Sequence, residues 1–576
     1  MKKFLLSFSL LTIPFCIYAQ GVTSAYSISQ QELRGTARYM SMAGAFGALG
    51  GDLSAITQNP GGIGIYRSNE LGITFGLDMY DTKSSSMGMS TSDNMTRFNL
   101  NNVGAVFTMK LYNNSVPNIN FGFVYNKSAS FNRRFKGYIP NLKTSLSNYI
   151  AGACNYEGLT ESDVQYGDYY DPYASGNVPW LAALGYNSYL TTPEVHGNTT
   201  NWYGQFGNGT SGTGGFKVNE KGAVDNYNII LGGNIKNILY WGMNFDITSV
   251  DYRIQSVWGE ALDNAYVYNE DSGRIENTPQ ADWTLYDNYR LSGTGFKFNM
   301  GFILKPIQEL RLGIAFHTPT YYNLTETFYD THIDYDYKFN KNNQYGSAWT
   351  NDGYPASNSI GFATPWRVIA SAAGVIGSNF IVSFDYEWDS FKSMKYSDAN
   401  VYDYYDPWYD WDNPWNDWGW GSPWYSKTKS ETRANDNYHS TYHNPNDYAN
   451  SKIKQIYRNT NTFRIGAEYR IVPEFSIRAG YSHSESPVTT QVKDYIVDVP
   501  GTGVMTNYTL DNSTNYLTAG LGFKTGGFYA DLAYVYKHMT SEYFPFAPDT
   551  SDLSSVVKSE LTTNNSSVVL SLGFKF

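Results

Sequence analysis

Three places in this chain hold residues of a kind and spacing that could do chemistry. The run Arg38–Ile65, RYMSMAGAFGALGGDLSAITQNPGGIGI, places Gly44, Gly47 and Gly50 three apart. A glycine-rich loop can cradle phosphate through its backbone N–H groups, but this one lacks the Lys-Ser/Thr ending and follows no strand. His439 and His443 are four apart, as in zinc proteases, yet no Glu completes His-Glu-x-x-His, and they read as solvated. Asp403, Asp406, Asp410, Asp412 and Asp417 lie among many Trp and Tyr in 401–425. Clustered carboxylates attract a hard cation, but the EF-hand spacing with its Gly is missing. That stretch reads first as a surface loop ordered by its aromatics, then as an aromatic platform for sugar or lipid. His317 and His483 fall near the outer ends of predicted strands, within reach of a ligand, and read by default as surface histidines. No Gly-x-Ser-x-Gly element is present, and no Ser–His pair can be located. The expectation is a chain that is no enzyme and carries neither metal nor cofactor.

The elements that would position anything else are set by bulk properties. The chain has 576 residues with a formal net charge of −11, which disfavours a phosphate-binding surface and so nucleic acid. Its 17% aromatics, 53 Gly and few charges suit a β-rich chain. Residues 1–19 read as a secretory signal: Lys2 and Lys3, an apolar core from Phe4 to Ile17, then Ile17-Tyr18-Ala19 before Gln20. Its removal leaves Cys154 without an internal disulfide partner. No later stretch approaches the roughly 18 apolar residues of a membrane helix.

The apolar residues alternate instead. Leu71, Ile73, Phe75, Leu77 and Met79 share one face of a strand, and Gly72, Thr74, Gly76 and Asp78 the other. Similar patterns predict roughly fourteen strands near 70–80, 99–111, 117–128, 223–235, 238–252, 288–304, 309–326, 364–376, 379–391, 459–471, 474–486, 513–524, 527–540 and 563–576. Tight turns such as Lys236-Asn237 alternate with long loops at 129–222, 253–287, 327–363, 390–458, 487–512 and 541–562. Short turns at one end and long loops at the other are the signature of a transmembrane antiparallel β-barrel. An all-β barrel has a lumen, and the Gly-rich Arg38–Ile65 run is suited to plug it. Its glycines would weaken a helix by about 1 kcal/mol each, and Asn59-Pro60-Gly61-Gly62 reads as a turn that substitution at Gly61 and Gly62 would strain.

Sequence motifs sharpen this reading. Ala37–Gly64, with MAGAF (Met42 to Phe46) and QNPGG (Gln58 to Gly62), resembles the N-terminal hatch of the FadL/TodX family, outer-membrane transporters of long-chain fatty acids and other hydrophobic compounds. The family's hatch typically ends Asn-Pro-Ala-Gly, and Gly61 stands here in place of Ala. Leu310 to Gly313, His317 to Thr320, Thr364 to Arg367, Phe384 to Glu387, Arg464 to Arg470 and Arg478 to Tyr481 are similar in kind, so the resemblance covers nearly the whole mature chain. It implies a hatch over 20–68, with Arg38, Gly44, Asp52, Asn59, Pro60, Gly61 and Gly62 as its notable residues, and a barrel over 69–576. A buried Arg38 or Asp52 needs a partner, either across the lumen or at a wet edge.

Leu142, Leu146, Tyr149 and Ile150 follow helical spacing, and Pro179 opens a second helix with Trp180, Leu181 and Leu184. These resemble the family's outer hydrophobic groove, which implies a ligand site there; packing over the barrel mouth is the other reading, and the two are compatible. The family also implies passive uptake with possible sideways exit, a Gram-negative outer membrane, contact with its lipid, and a monomer. The C-terminal strand ending at Phe576 looks like the signal read by the barrel-assembly machinery. Two rival roles stand beside this: a haem- or lipid-binding surface receptor, and an adhesive surface protein acting through 401–425.

Overall fold

The computed structural model describes residues 21–576 except 168, 176–177, 198, 378, 399–444 and 549–554. The aromatic-acidic stretch 401–425, His439, His443 and the signal segment 1–19 therefore lie outside the described residues. The rest is a closed antiparallel barrel of 14 strands. They are β1 (Glu70–Ser86), β2 (Met89–Lys110), β3 (Asn118–Ser130), β4 (Ser211–Ile235), β5 (Leu239–Asn269), β6 (Arg274–Leu304), β7 (Leu310–His317 and Tyr321–Lys338), β8 (Ala356–Ala363 and Arg367–Ile376), β9 (Phe380–Asp389), β10 (Thr460–Val472), β11 (Phe475–Ser484), β12 (Tyr508–Thr525), β13 (Phe528–Phe544) and β14 (Ser559–Lys575). Each predicted strand coincides with one of these. β7 and β8 break side by side at Pro319 and Pro365, where proline offers no ladder N–H. β1 pairs with β14 from Glu70↔Lys575 to Ser85↔Glu560, which closes the barrel. Phe576 and Asn69 exchange both backbone hydrogen bonds at that seam.

The wall has two zones with opposite polarity. Toward the short turns, Phe123, Phe245, Ile247, Phe296, Phe316, Leu517 and Leu570 are exposed on the outer face, while Asn120, Asn244, Asp246 and Asn299 are buried inside. That inversion of a soluble protein suits lipid outside and polar matter within. Beyond it the same strands continue with the apolar side turned inward. On β5 and β6, Tyr252, Ile254, Trp258, Leu262, Trp283, Leu285 and Tyr289 are buried.

This phase change corrects the loop boundaries. The stretch 253–287 is a paired hairpin running out to Asn269↔Arg274. In 327–363, the outer part of β7 pairs with Asn343–Trp349 and Ala356–Ala363. Residues 211–222 extend β4, and Arg133–Ile139 forms a further strand against it. Reading one apolar face per strand stopped each strand where the apolar face changed sides.

The outer zone encloses the largest apolar core. It takes in α1 (Val22–Ser29), α4 (Leu146–Glu157) and α5 (Trp180–Asn187); α2 (Ala37–Ser41) and α3 (Ala55–Gln58) lie below in the lumen and belong to separate, smaller clusters. Ser145 caps α4 by accepting from Ser147 N–H, and Gly158 ends it in a left-handed conformation.

Candidate functional site

Residues 37–65 lie inside the barrel against inward-facing wall residues. Asn59 accepts from Gly61 N–H at 3.0 Å and starts a short 3-10 helix with Pro60 in its first turn. Gly44, Gly50 and Gly51 have φ of 75°, 59° and 66°, the left-handed region that favours glycine. Gly61 and Gly62 do not, so the expectation of a strained turn is corrected there. Close approach is what excludes side chains: a Cβ on Gly61 would meet Gly301 O at 2.9 Å, and one on Gly62 would meet Gly50 Cα at 2.9 Å.

The wall supplies matching glycines. A Cβ on Gly242 would fall 2.0 Å from Pro60 O, and one on Gly313 2.3 Å from Gly47 O. Gly466 and Gly480 face Met42 in the same way. Backbone therefore rests on backbone around much of the lumen.

Wall side chains pin this segment. Asp385 on β9 accepts from Phe46 N–H at 3.0 Å, Gly47 N–H at 2.9 Å and Gln58 Nε2 at 3.1 Å. Arg38 donates to Glu468 on β10 at 3.0 Å, and Arg478 on β11 joins the same carboxylate at 2.7 Å. Asp52 reaches no wall residue through the bonds seen; it accepts from Thr36 Oγ1, Ser54 N–H and Ala55 N–H within its own segment. His317 is buried, not on the surface, and its Nε2 lies 2.7 Å from Gln58 O. Arg311 donates to Leu49 O at 2.9 Å.

Asp385→Ala should strip Gly47 N–H of its acceptor and leave Phe46 N–H and Gln58 Nε2 with Gly44 O alone, loosening residues 44–48 by on the order of 2 kcal/mol. Amide exchange should rise at Phe46 and Gly47 while β9 and its neighbours stay protected. Unchanged exchange at those two amides would count against this pinning role.

Above this segment Glu32 pairs with Lys537 at 2.7 Å and Arg34 at 2.8 Å. Burial works against its charge, but the two cations hold its carboxyl down at about 2. With the folded value depressed, this group's contribution to stability is complete above the ordinary carboxylate range and is lost as pH falls toward 2. Unfolding followed against pH should therefore show the N-terminal segment holding until well below pH 4 (about the free Glu value).

The outer zone holds a cavity of about 470 Å³. Tyr149 and Ile150 of α4 and Trp180 and Leu181 of α5 line it, as do Phe328 of β7 and the loop residues Val499, Pro500, Val504 and Met505. Leu142, Leu146 and Leu184 are buried in the core behind it and do not line it. The wall facing from 498–506 carried no periodic signal in the sequence, because its residues converge from one irregular loop. Asp498, the one acid among the described lining residues, is paired with Lys452.

Between β2 and β3 the pairing of the wall is interrupted although both strands run on outward. β2 and β3 pair only from Asn102↔Asn126 to Lys110↔Asn118. Farther out, β2 pairs with β1 alone, and Arg133–Ile139 pairs with β4 alone. Tyr80 on the inner face of β1 meets Ser130 at 3.2 Å, so the chain after β3 has turned inward. Arg134 spans the seam, donating to Asp93 at 2.8 Å and to Asn94 O at 2.7 Å.

Fold and site together define a transmembrane β-barrel with its own N-terminal residues in the lumen and an apolar cavity at its outer end. Among solved structures it is similar to a Pseudomonas aeruginosa FadL homologue, with 12% identity, TM-score 0.48, and 95% of this chain and 99% of that one covered. It is also similar to the Ralstonia pickettii toluene transporter TbuX, at 13% identity and TM-score 0.44 over 94% and 98% of the two chains. The P. putida toluene transporter TodX follows at 10% and 0.45 over 95% and 99%. No family model matches the sequence, and no curated protein matches it. The barrel is established by its strand pairing independently of these likenesses.

Proposed function

We propose that this protein is a passive outer-membrane channel for hydrophobic small molecules, with residues 20–68 as its hatch. The observation that carries the reading is the outer apolar cavity of about 470 Å³ set above a plugged lumen. Apolar solutes partition out of water into such a cavity without any energy input. A ligand captured between α4 and α5 would pass inward and leave once the hatch shifts, or sideways where pairing stops between β2 and β3, if Arg133–Ile139 and the Arg134 contacts across that seam move aside. The sideways route suits an apolar solute, which prefers lipid to water. Tyr149, Ile150, Trp180 and Leu181 are the residues assigned to capture, and Leu142, Leu146 and Leu184 to holding the helices that carry them.

Uptake of an apolar tracer into liposomes containing the purified barrel tests this. Uptake above empty liposomes is expected. A rate equal to that of empty liposomes, with tracer still bound to the protein, would instead indicate a binding receptor.

A further inference from the structure

Below the outer cavity lies a second, smaller one of about 100 Å³, and Met505 lines both. Its walls differ in kind. Glu32, Glu220, Asp511, Arg133 and Lys537 all line it. The cations are already engaged: Lys537 with Glu32 at 2.7 Å, and Arg133 with Glu220 at 2.6 Å. Three carboxylates stand against two cations, and counting the adjacent Arg34–Asp78 pair leaves that excess unchanged.

Several polar atoms on this wall are buried without a hydrogen-bond partner, Ser24 Oγ among them. Two more are carboxylate or carbonyl oxygens, Asp511 Oδ1 and Asn565 Oδ1, on residues only 6% exposed each. Arg133 Nη1 also lacks one. Asp511 Oδ1 and Arg133 Nη1 stand 3.8 Å apart, an ion-pair separation too long for a hydrogen bond. A hydroxyl placed between them could accept from Arg133 and donate to Asp511 with two bonds of ordinary length. A carboxylate has no proton for Asp511 and adds charge to a site already in acidic excess. An alkane leaves every one of these atoms unsatisfied and buried.

Resting on the channel reading above, we propose that the preferred substrate is a hydroxyl-headed amphiphile, its tail in the outer cavity and its hydroxyl between Arg133 and Asp511. This chamber then selects the head group while the outer cavity accepts any apolar tail.

The test is a head-group series of one chain length: alcohol, monoacylglycerol, carboxylic acid and alkane. Each is measured for uptake by the barrel in liposomes and for binding to it in nanodiscs by native mass spectrometry, near neutral pH. The alcohol and monoacylglycerol should exceed the acid and the alkane by about tenfold in both measurements. In Asp511→Asn the acid should gain on the alcohol, because the acidic excess is removed while the side-chain shape is kept. Acid or alkane taken up and bound as well as the alcohol would overturn the head-group assignment and leave the channel standing. Water alone in the chamber, with no head-group preference in binding, would overturn it too. No uptake of any member, with the binding order kept, would overturn the channel reading and support the assignment.

Discussion

Gly152→Trp is expected to cut uptake of apolar tracers by about tenfold while leaving the barrel folded. Gly152 lies within α4 and lines the outer cavity. A Cβ there meets nothing within 4 Å, so the added side chain has open space beside the cavity. Trp also removes a glycine from a helix interior, which favours the helix by ~0.5 kcal/mol, half of what separates Gly from Ala. Lost uptake in this variant therefore reports a filled cavity and not a damaged fold. Gly152→Ala is the matching control: it gains at least as much helical preference as Trp, leaves the cavity open and should transport normally. Normal uptake by the Trp variant would remove the outer cavity from the route.

The second large effect concerns the plug. Gly242→Val should open the lumen to small polar solutes, seen as a conductance in planar bilayers well above that of the unsubstituted protein. At Gly242 a Cβ would meet Pro60 O at 2.0 Å, Pro60 C at 2.5 Å and Gly61 N at 3.1 Å. All three are backbone atoms, so no rotamer change relieves the conflict, and overpacking of this kind costs about 1–3 kcal/mol or more. The strand itself has reason to stay. Gly242 sits in β5, paired with Gly232 on one side and Gly301 on the other, and Val favours strands. The looser partner is the segment 60–65, which has to move. Faster amide exchange there, with β5 still protected, would accompany the conductance. A barrel that fails to assemble would make this contact scaffold first and gate second.

Much of the architecture was legible because a strand has a period of two and the lipid-facing side leaves no choice about which half is apolar. The alternation at Leu71–Met79 or Phe296–Phe302 marks both the strand and its outward face. The outer halves of β5 and β6 were missed for the same physical reason: at Tyr252 and Leu291 the apolar side turns inward, and a pattern that reverses phase looks like no pattern. Small residues at Gly44 to Gly51 announced a close fit, yet not what they fit against. The complementary Gly242, Gly301, Gly313 and Gly466 lie hundreds of positions away on separate strands, each unremarkable alone.

The polar partners divide in the same way. Arg38 was legible as a charge needing company, but Glu468 and Arg478 come to it only through closure of the barrel. His317 reads as a surface residue until Gln58 is placed beneath it. Tyr149, Ile150, Trp180 and Leu181 showed apolar helix faces with nothing nearby to bury them. That they share a cavity with Val499–Met505, and that Met505 also borders a polar chamber at Asp511 and Asn565, depends on which loops meet over the lumen. The sequence by itself determined a two-faced strand repeated around a barrel and a small-residue segment suited to its interior, because both are local consequences of side-chain size and polarity. The tertiary structure alone decided the glycine-to-glycine seating of that segment, the break in pairing between β2 and β3 and the pairing of an apolar cavity with a polar one. Each of these joins residues far apart in the chain, and no local periodicity encodes which wall position faces which.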